Sequence, residues 1–394
     1  MLVLDRAAAL AIAPRWRLGF RPFFLGGALF ALLAVALWGA ALAGHAYLQP
    51  QGGLLAWHRH EMLFGFGLAI IAGFLLTAVQ TWTGQPSLSG RPLTALFGLW
   101  VTGRLAWFLP LPPLVLALLE LSFSAALLLA FGRLIYRARQ THNAPIVLVL
   151  ALLGACQALT LYGVGVADDA QQRRGTLAAL WLIAALMGLI GARVIPFFTQ
   201  RGLGLASQVR ARPWLMWSLL ACSLGIVGLI LTGGLERPRP ALAPLFLLVA
   251  ALHALHMRLW YASGIWRVPL LWSLHLAYAW MALAALACGL WLLGGWQQSS
   301  LASHALAVGG MGGLILAMLA RVSLGHTGRP LAPPRAMTWA FILLHLATAC
   351  RVLLAGFSSV GLWLAALGWC LAFALFLWHY APILWSERVD GHPG

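Results

Sequence analysis

Apolar runs of about twenty residues recur along this chain, and they restrict its fold more than any other feature. Coiled as an α-helix, a run of that length crosses the roughly 30 Å hydrocarbon core of a bilayer. The runs fall near residues 20–43, 57–81, 92–109, 113–133, 145–166, 175–198, 213–233, 241–261, 268–294, 302–324, 336–355 and 361–385. The alternating ten-residue segments of a membrane β-barrel are absent. The chain is 62% hydrophobic and 8% charged, whereas soluble domains carry about 25% charged residues, so lipid is the solvent it suits. The fold class is an all-α polytopic membrane protein with about twelve transmembrane helices. Connections are short throughout. Residues 1–19 are expected to form a cytoplasmic lead-in, residues 20–385 a single membrane domain, and residues 386–394 a cytoplasmic tail.

The formal net charge of +17 does not indicate a nucleic-acid partner, because the basic residues are scattered singly between apolar runs and form no stripe. All 25 are Arg. Counted in alternate connections they are asymmetric: fourteen, Arg210 among them, lie on the side of both termini, against Arg173, Arg174, Arg237 and Arg239 on the other. The positive-inside rule then puts both termini in the cytoplasm, beside anionic lipid. Asp5 and Arg6 argue against a cleaved signal peptide. The five Cys lie inside apolar runs with no CxxC spacing, which fits packing rather than a disulfide framework or zinc site.

A repeat links the second, sixth and tenth runs. Thr83-Gly84-Gln85-Pro86 follows His60 at the offsets at which Thr327-Gly328-Arg329-Pro330 follows His304. Ala192-Arg193-Val194 precedes Thr199 as Ala320-Arg321-Val322 precedes Thr327. Runs four apart suggest three four-helix units; chance likeness between Leu/Ala/Gly-rich helices is the alternative.

Ionisable groups inside spans are costly and mark function. His58, His60 and Glu61 open the second run, His304 opens the tenth, and Arg104 and Arg351 lie in the third and eleventh. This makes one candidate cluster in the outer half of the membrane. His253, His256, His275 and His326 make a second, inner set. Neutral imidazole ligates haem iron and copper, and bundle interiors build such sites from facing helices. Proton relays, ion pathways and purely structural hydrogen bonds use the same residues. His58 and His60 point about 200° apart on a helix, and Phe64, Gly67 and Ile71 continue the face of His60.

Several segments together resemble the NnrS family: Phe20–Phe24 (FRPFF), Trp57–Gly67 (WHRHEMLFGFG), Gly73–Gly84, Pro196–Gly204, Leu270–Trp280, His304–Gly313 and Arg321–Leu331 (RVSLGHTGRPL). The resemblance implies a bacterial inner-membrane protein containing haem and copper, with a role in denitrification and nitric oxide stress. Its histidine motifs fall on His58, His60, His275, His304 and His326. With haem and copper implied by the resemblance, the expectation is a haem b held by His60 and His304, with Arg104 or Arg351 near its propionates and Glu61 holding an imidazole N–H, and a second metal, copper, among His253, His256, His275 and His326. Twelve helices in three arcs, with ligands on the second and tenth, are similar to the catalytic subunit of haem–copper oxidases, although no adjacent His-His pair is present. The function expected is binding or redox conversion of nitric oxide, drawing on an unidentified electron donor. The alternatives are a secondary transporter of a metal or metal complex and a non-catalytic sensor or assembly partner. Whether the protein is an enzyme is left open by the residues.

Overall fold

The computed structural model describes residues 6–206, 212–295 and 298–393; Asp5 and Arg210 lie outside the described residues. A short helix at Arg6–Ala11 precedes twelve longer ones. These are α1 (Phe20–Leu42), α2 (Leu54–Thr83), α3 (Gly90–Ala106), α4 (Pro113–Arg137), α5 (Thr141–Gly165) and α6 (Asp169–Leu203). They continue with α7 (Pro213–Leu231), α8 (Pro240–Trp260), α9 (Pro269–Leu292), α10 (Ser299–His326), α11 (Arg335–Leu354) and α12 (Ser359–Trp385). No strand occurs among the described residues.

Each apolar run of the sequence has become one helix. Eleven are long and apolar enough to cross a bilayer. The exception, α3, has 17 residues, about 26 Å of helix at 1.5 Å per residue. Prolines at positions 110, 112 and 113 stop its extension. Prolines also set helix starts: Pro113, Pro213 and Pro269 occupy first-turn positions, where a missing N–H costs nothing. The helix α2 stops at Gly84, whose left-handed backbone (φ +67°) returns its N–H to the Gln80 carbonyl at 2.9 Å. Leu114, Leu118 and Leu129 of α4 are 61–71% exposed, an apolar face that needs lipid rather than water around it. The chain is a multi-pass membrane protein.

Three stretches depart from α-helical geometry. Glu61–Gly67 in α2, Ala305–Gly312 in α10 and Cys350–Leu354 in α11 are π-helical, with wider turns. Such turns are rare and concentrate at functional sites. His60 and His304, the residues aligned by the sequence repeat, are each the last α-helical residue before a π segment.

Packing divides the chain into two compact units. The first holds residues up to Thr176, Leu319–Ala332 and the residues from Phe373 onward; the second holds Leu177–Met318 and Pro333–Ala372. In the first unit, Phe23 of α1 meets Phe97 and Trp100 of α3 and Phe123 of α4 in ring contacts at 5.5–6.5 Å. Lead-in and tail pack here too. Arg17 donates to the Ile12 and Leu10 carbonyls at 2.7 and 2.8 Å and to Glu387 at 3.0 Å. Arg388 donates to the His326 carbonyl at 2.9 Å. It also forks onto Asp390 at 2.8 and 2.5 Å, and this hydrogen bonding holds the Asp390 carboxyl below the usual carboxylate range.

In the second unit, glycines let α10 approach its neighbours. A Cβ on Gly313 would fall 2.8 Å from that of Ala277, and one on Gly309 would strike the Trp280 ring and, at 2.7 Å, Thr348. Gly309→Ala is therefore expected to overpack this contact and cost about 1–3 kcal/mol. Thermal unfolding of the purified variant checks it; an unchanged midpoint would show that the ring yields freely.

Candidate functional site

The first unit buries a compact charged cluster built by α2, α3, α4 and α5. It starts with His60, 0% exposed, at the point where α2 widens into its π segment. Its Nδ1 lies 2.9 Å from Oε1 of Glu61, also 0% exposed. A carboxylate opposite a ring nitrogen accepts a proton from it, so Nδ1 carries the hydrogen and Nε2 keeps its lone pair. That lone pair meets the Gln157 amide at 3.3 Å, with Oε2 of Glu120 at 4.0 Å. Gln157 is aimed by Ser124, whose hydroxyl donates to its side-chain oxygen.

Arg104 spans the two carboxylates. Its Nη2 donates to Oε2 of Glu120, and its Nε lies 3.1 Å from Oε2 of Glu61 without a well-aligned hydrogen bond. Trp107 donates its indole N–H to Oε1 of Glu120 at 2.8 Å. Gly65 makes the arrangement fit, because a Cβ there would lie 2.6 Å from Arg104 Nη1 and 2.9 Å from Glu61 Oε2. Its carbonyl accepts from the Trp100 indole at 2.8 Å, which satisfies a backbone group within the π segment.

One guanidinium faces two carboxylates here. With both ionised, the cluster carries one uncompensated negative charge in a low-dielectric interior, and a further proton or a metal cation offsets it. One donor atom each from His60, Glu61 and Glu120 lie within 4.8 Å of one another, the only group of three such residues among the described ones to do so. The nitrogen and oxygen donors suit a copper(II)-like or other borderline ion. The Glu61–His60 contact is the carboxylate–imidazole arrangement that orients metal-bound histidines.

A porphyrin at His60 does not fit. The rings of Phe64 and Trp107 lie with centroids 4.9 and 4.8 Å from the imidazole, and both its nitrogens are engaged. Arg104, expected beside haem propionates, is taken up by Glu61 and Glu120 instead. His58 faces away from the cluster, as the helix angle requires, and stacks on Trp38 at 4.2 Å.

In the second unit, His304 gives its Nδ1 proton to the Ser300 carbonyl at 2.7 Å, and Arg351 approaches its two ring nitrogens at 3.2 and 3.3 Å. Arg351, expected beside haem propionates, is thus in direct contact with His304. A guanidinium against Nε2 competes with a metal for that lone pair. His275 is different: its Nδ1 contacts the Leu271 carbonyl at 3.0 Å, and its Nε2 is buried without a well-aligned hydrogen bond, with the Trp260 backbone also close to the ring. An imidazole oriented through Nδ1 resembles a metal-ligating histidine. His345 also leaves one buried nitrogen, Nδ1, unpartnered.

The inner copper set is not assembled as three close donors. His253 and His256 both turn Nδ1 onto the Tyr278 hydroxyl, at 2.9 and 3.0 Å, while His275 uses Nδ1 on its own helix. His326 belongs to the first unit and packs on Phe20 at 5.5 Å.

Sequence reasoning places Glu120 near mid-depth within its span without assigning it to a site, and passes over Gln157, Trp107 and Tyr278. For Glu120 a signal existed: of eight acidic residues, only Glu61 and Glu120 sit within apolar runs, and the fold brings these two together. Gln157, Trp107 and Tyr278 resemble ordinary span residues, and only contacts distinguish them.

A comparison with curated proteins finds no match. The family described as NnrS protein matches residues 14–388, nearly the whole chain. Its span takes in the His60 cluster, the π segments and both units, and the chain belongs to the NnrS family.

Proposed function

We propose that this membrane protein binds a copper ion and haem b and lowers nitric oxide by binding it or converting it by redox chemistry. The observation that carries this reading is the buried His60–Glu61–Arg104–Glu120 cluster, short of one positive charge and holding an oriented imidazole whose Nε2 lone pair a metal would take over from the Gln157 amide. His60 Nε2 and Glu120 would hold the copper, with Glu61 fixing the imidazole and Arg104 limiting the residual charge. For haem b, His275 is the fitting axial donor through its buried Nε2. When bound, these groups supply an iron centre with affinity for nitric oxide and a one-electron metal. The chain's own residues fix ligand orientation, balance charge and exclude water. An electron donor completes any redox cycle, and the arginine asymmetry supports an inner-membrane location with cytoplasmic termini.

The purified protein should show a Soret band that His275→Ala removes, with helical circular dichroism retained. A Soret band kept at full strength in that variant excludes His275 as the ligand. A wild-type protein with no Soret band after haem supplementation favours the transport reading. Consumption of nitric oxide with an added donor separates conversion from binding.

A further inference from the structure

The second unit contains a cavity of about 300 Å³ between α6, α7 and the end of α8. Its walls combine two chemistries. Arg193, Gln200 and Arg212 supply cationic and amide groups, and Phe197, Met216 and Trp260 supply apolar surface. None of its lining residues is acidic. The first turn of α7, Pro213 onward, also borders it and turns the positive end of a helix dipole toward it.

His256 lines the same cavity, is 2% exposed and stacks on Trp260 at 4.5 Å. It leads into a buried chain. Tyr278 offers one hydroxyl oxygen to Nδ1 of His256 and Nδ1 of His253. A phenol has one proton, so it donates to one imidazole and accepts from the other. When Tyr278 donates to His253, His256 carries its proton on Nδ1 and presents an accepting Nε2. When Tyr278 donates to His256, Nε2 carries the proton and donates. The two arrangements interconvert when the protons move along the chain while His256 Nε2 takes up one proton and His253 Nε2 releases one, which changes what the cavity wall offers with no change in net charge.

We propose that this cavity binds an organic oxyanion, an oxygen-bearing anionic head on an apolar body, with Arg193 and Arg212 at the head and His256 as a donor or acceptor set by Tyr278 and His253. Guanidinium forks match carboxylate and phosphate oxygens, and the aromatic and Met walls cover the apolar part. The volume is at the small end of ligand sites, which suits a compact ligand or a lipid headgroup with its first carbons.

The test uses the full chain in nanodiscs of neutral phosphatidylcholine. In one arm benzoate is titrated and thermal unfolding is followed; in the other, phosphatidylglycerol is built into the disc. Saturable stabilisation by benzoate, about tenfold weaker in affinity in Arg212→Gln and in Tyr278→Phe, supports a water-soluble ligand. Stabilisation by phosphatidylglycerol with the same two sensitivities supports a lipid source. Arg212→Lys, which keeps the charge but not the fork, should fall between wild type and Arg212→Gln. The proposal is overturned if neither ligand stabilises the protein, or if Arg212→Gln and Tyr278→Phe respond as wild type does. Should Tyr278→Phe fail to fold, the Arg212 pair alone decides.

Discussion

Arg104→Met is expected to destabilise the first unit by about 3–5 kcal/mol, the loss typical when one partner of a buried ion pair is removed. Arg104 is 8% exposed, and its guanidinium is the one cation among the groups in contact with Glu61 and Glu120. Methionine fills similar volume, so lost packing adds little. What remains is two carboxylates facing each other in a space sealed by Phe30, Trp100 and Trp107. Thermal unfolding in detergent measures the loss. The charge account makes a second demand: combining Arg104→Met with Glu61→Gln and Glu120→Gln should recover most of it, since no ion is left unpaired. If the triple variant is no more stable than Arg104→Met, packing rather than charge explains Arg104.

His60→Ala should abolish copper binding at the cluster, and Glu61→Gln should weaken it by about 10–100-fold. The two variants separate ligand from orienting residue. Removing the imidazole takes away the nitrogen donor. Replacing Glu61 leaves that donor in place but exchanges an anionic acceptor for a neutral amide oxygen, which holds Nδ1–H more weakly and raises the basicity of Nε2 less. Copper titration of metal-stripped protein reads both. Equal affinity in His60→Ala and wild type would remove this cluster from the metal chemistry, whatever the haem content. Glu120→Gln is expected to act as a ligand loss, closer to His60→Ala than to Glu61→Gln.

The twelve helices, eleven of them long and apolar enough to span, were readable in the sequence because lipid demands long apolar runs and the charges between them are sparse. Leu54–Thr83 and Ser299–His326 were anticipated to within a few residues for that reason. The importance of His60 over His58 was readable too, since helix angle alone separates a buried imidazole from one stacked on Trp38. What joined His60 was less so. Glu120 lies 60 positions further on and Gln157 lies 97, and no periodicity within one helix reports which residues meet across four. The occupation of Arg104 by Glu61 and Glu120 was hidden for the same reason, as was Tyr278, one aromatic residue in an aromatic-rich run. Assigning histidines by depth alone grouped His326 with His253, His256 and His275, though depth says nothing about direction around a helix axis.

The π segment after His60 has a consequence for anyone mapping α2 by substitution. Each wide turn inserts roughly one residue relative to an α-helix, which advances the angular phase of everything downstream by about 100°. A wheel drawn at constant pitch through Leu54–Thr83 therefore misassigns one end of the helix. Cysteine-accessibility scanning should record two sinusoids, out of step across Glu61–Gly67. Deleting a single residue there would realign them, at the cost of swinging either His60 or the Leu68–Thr83 stripe away from its partners.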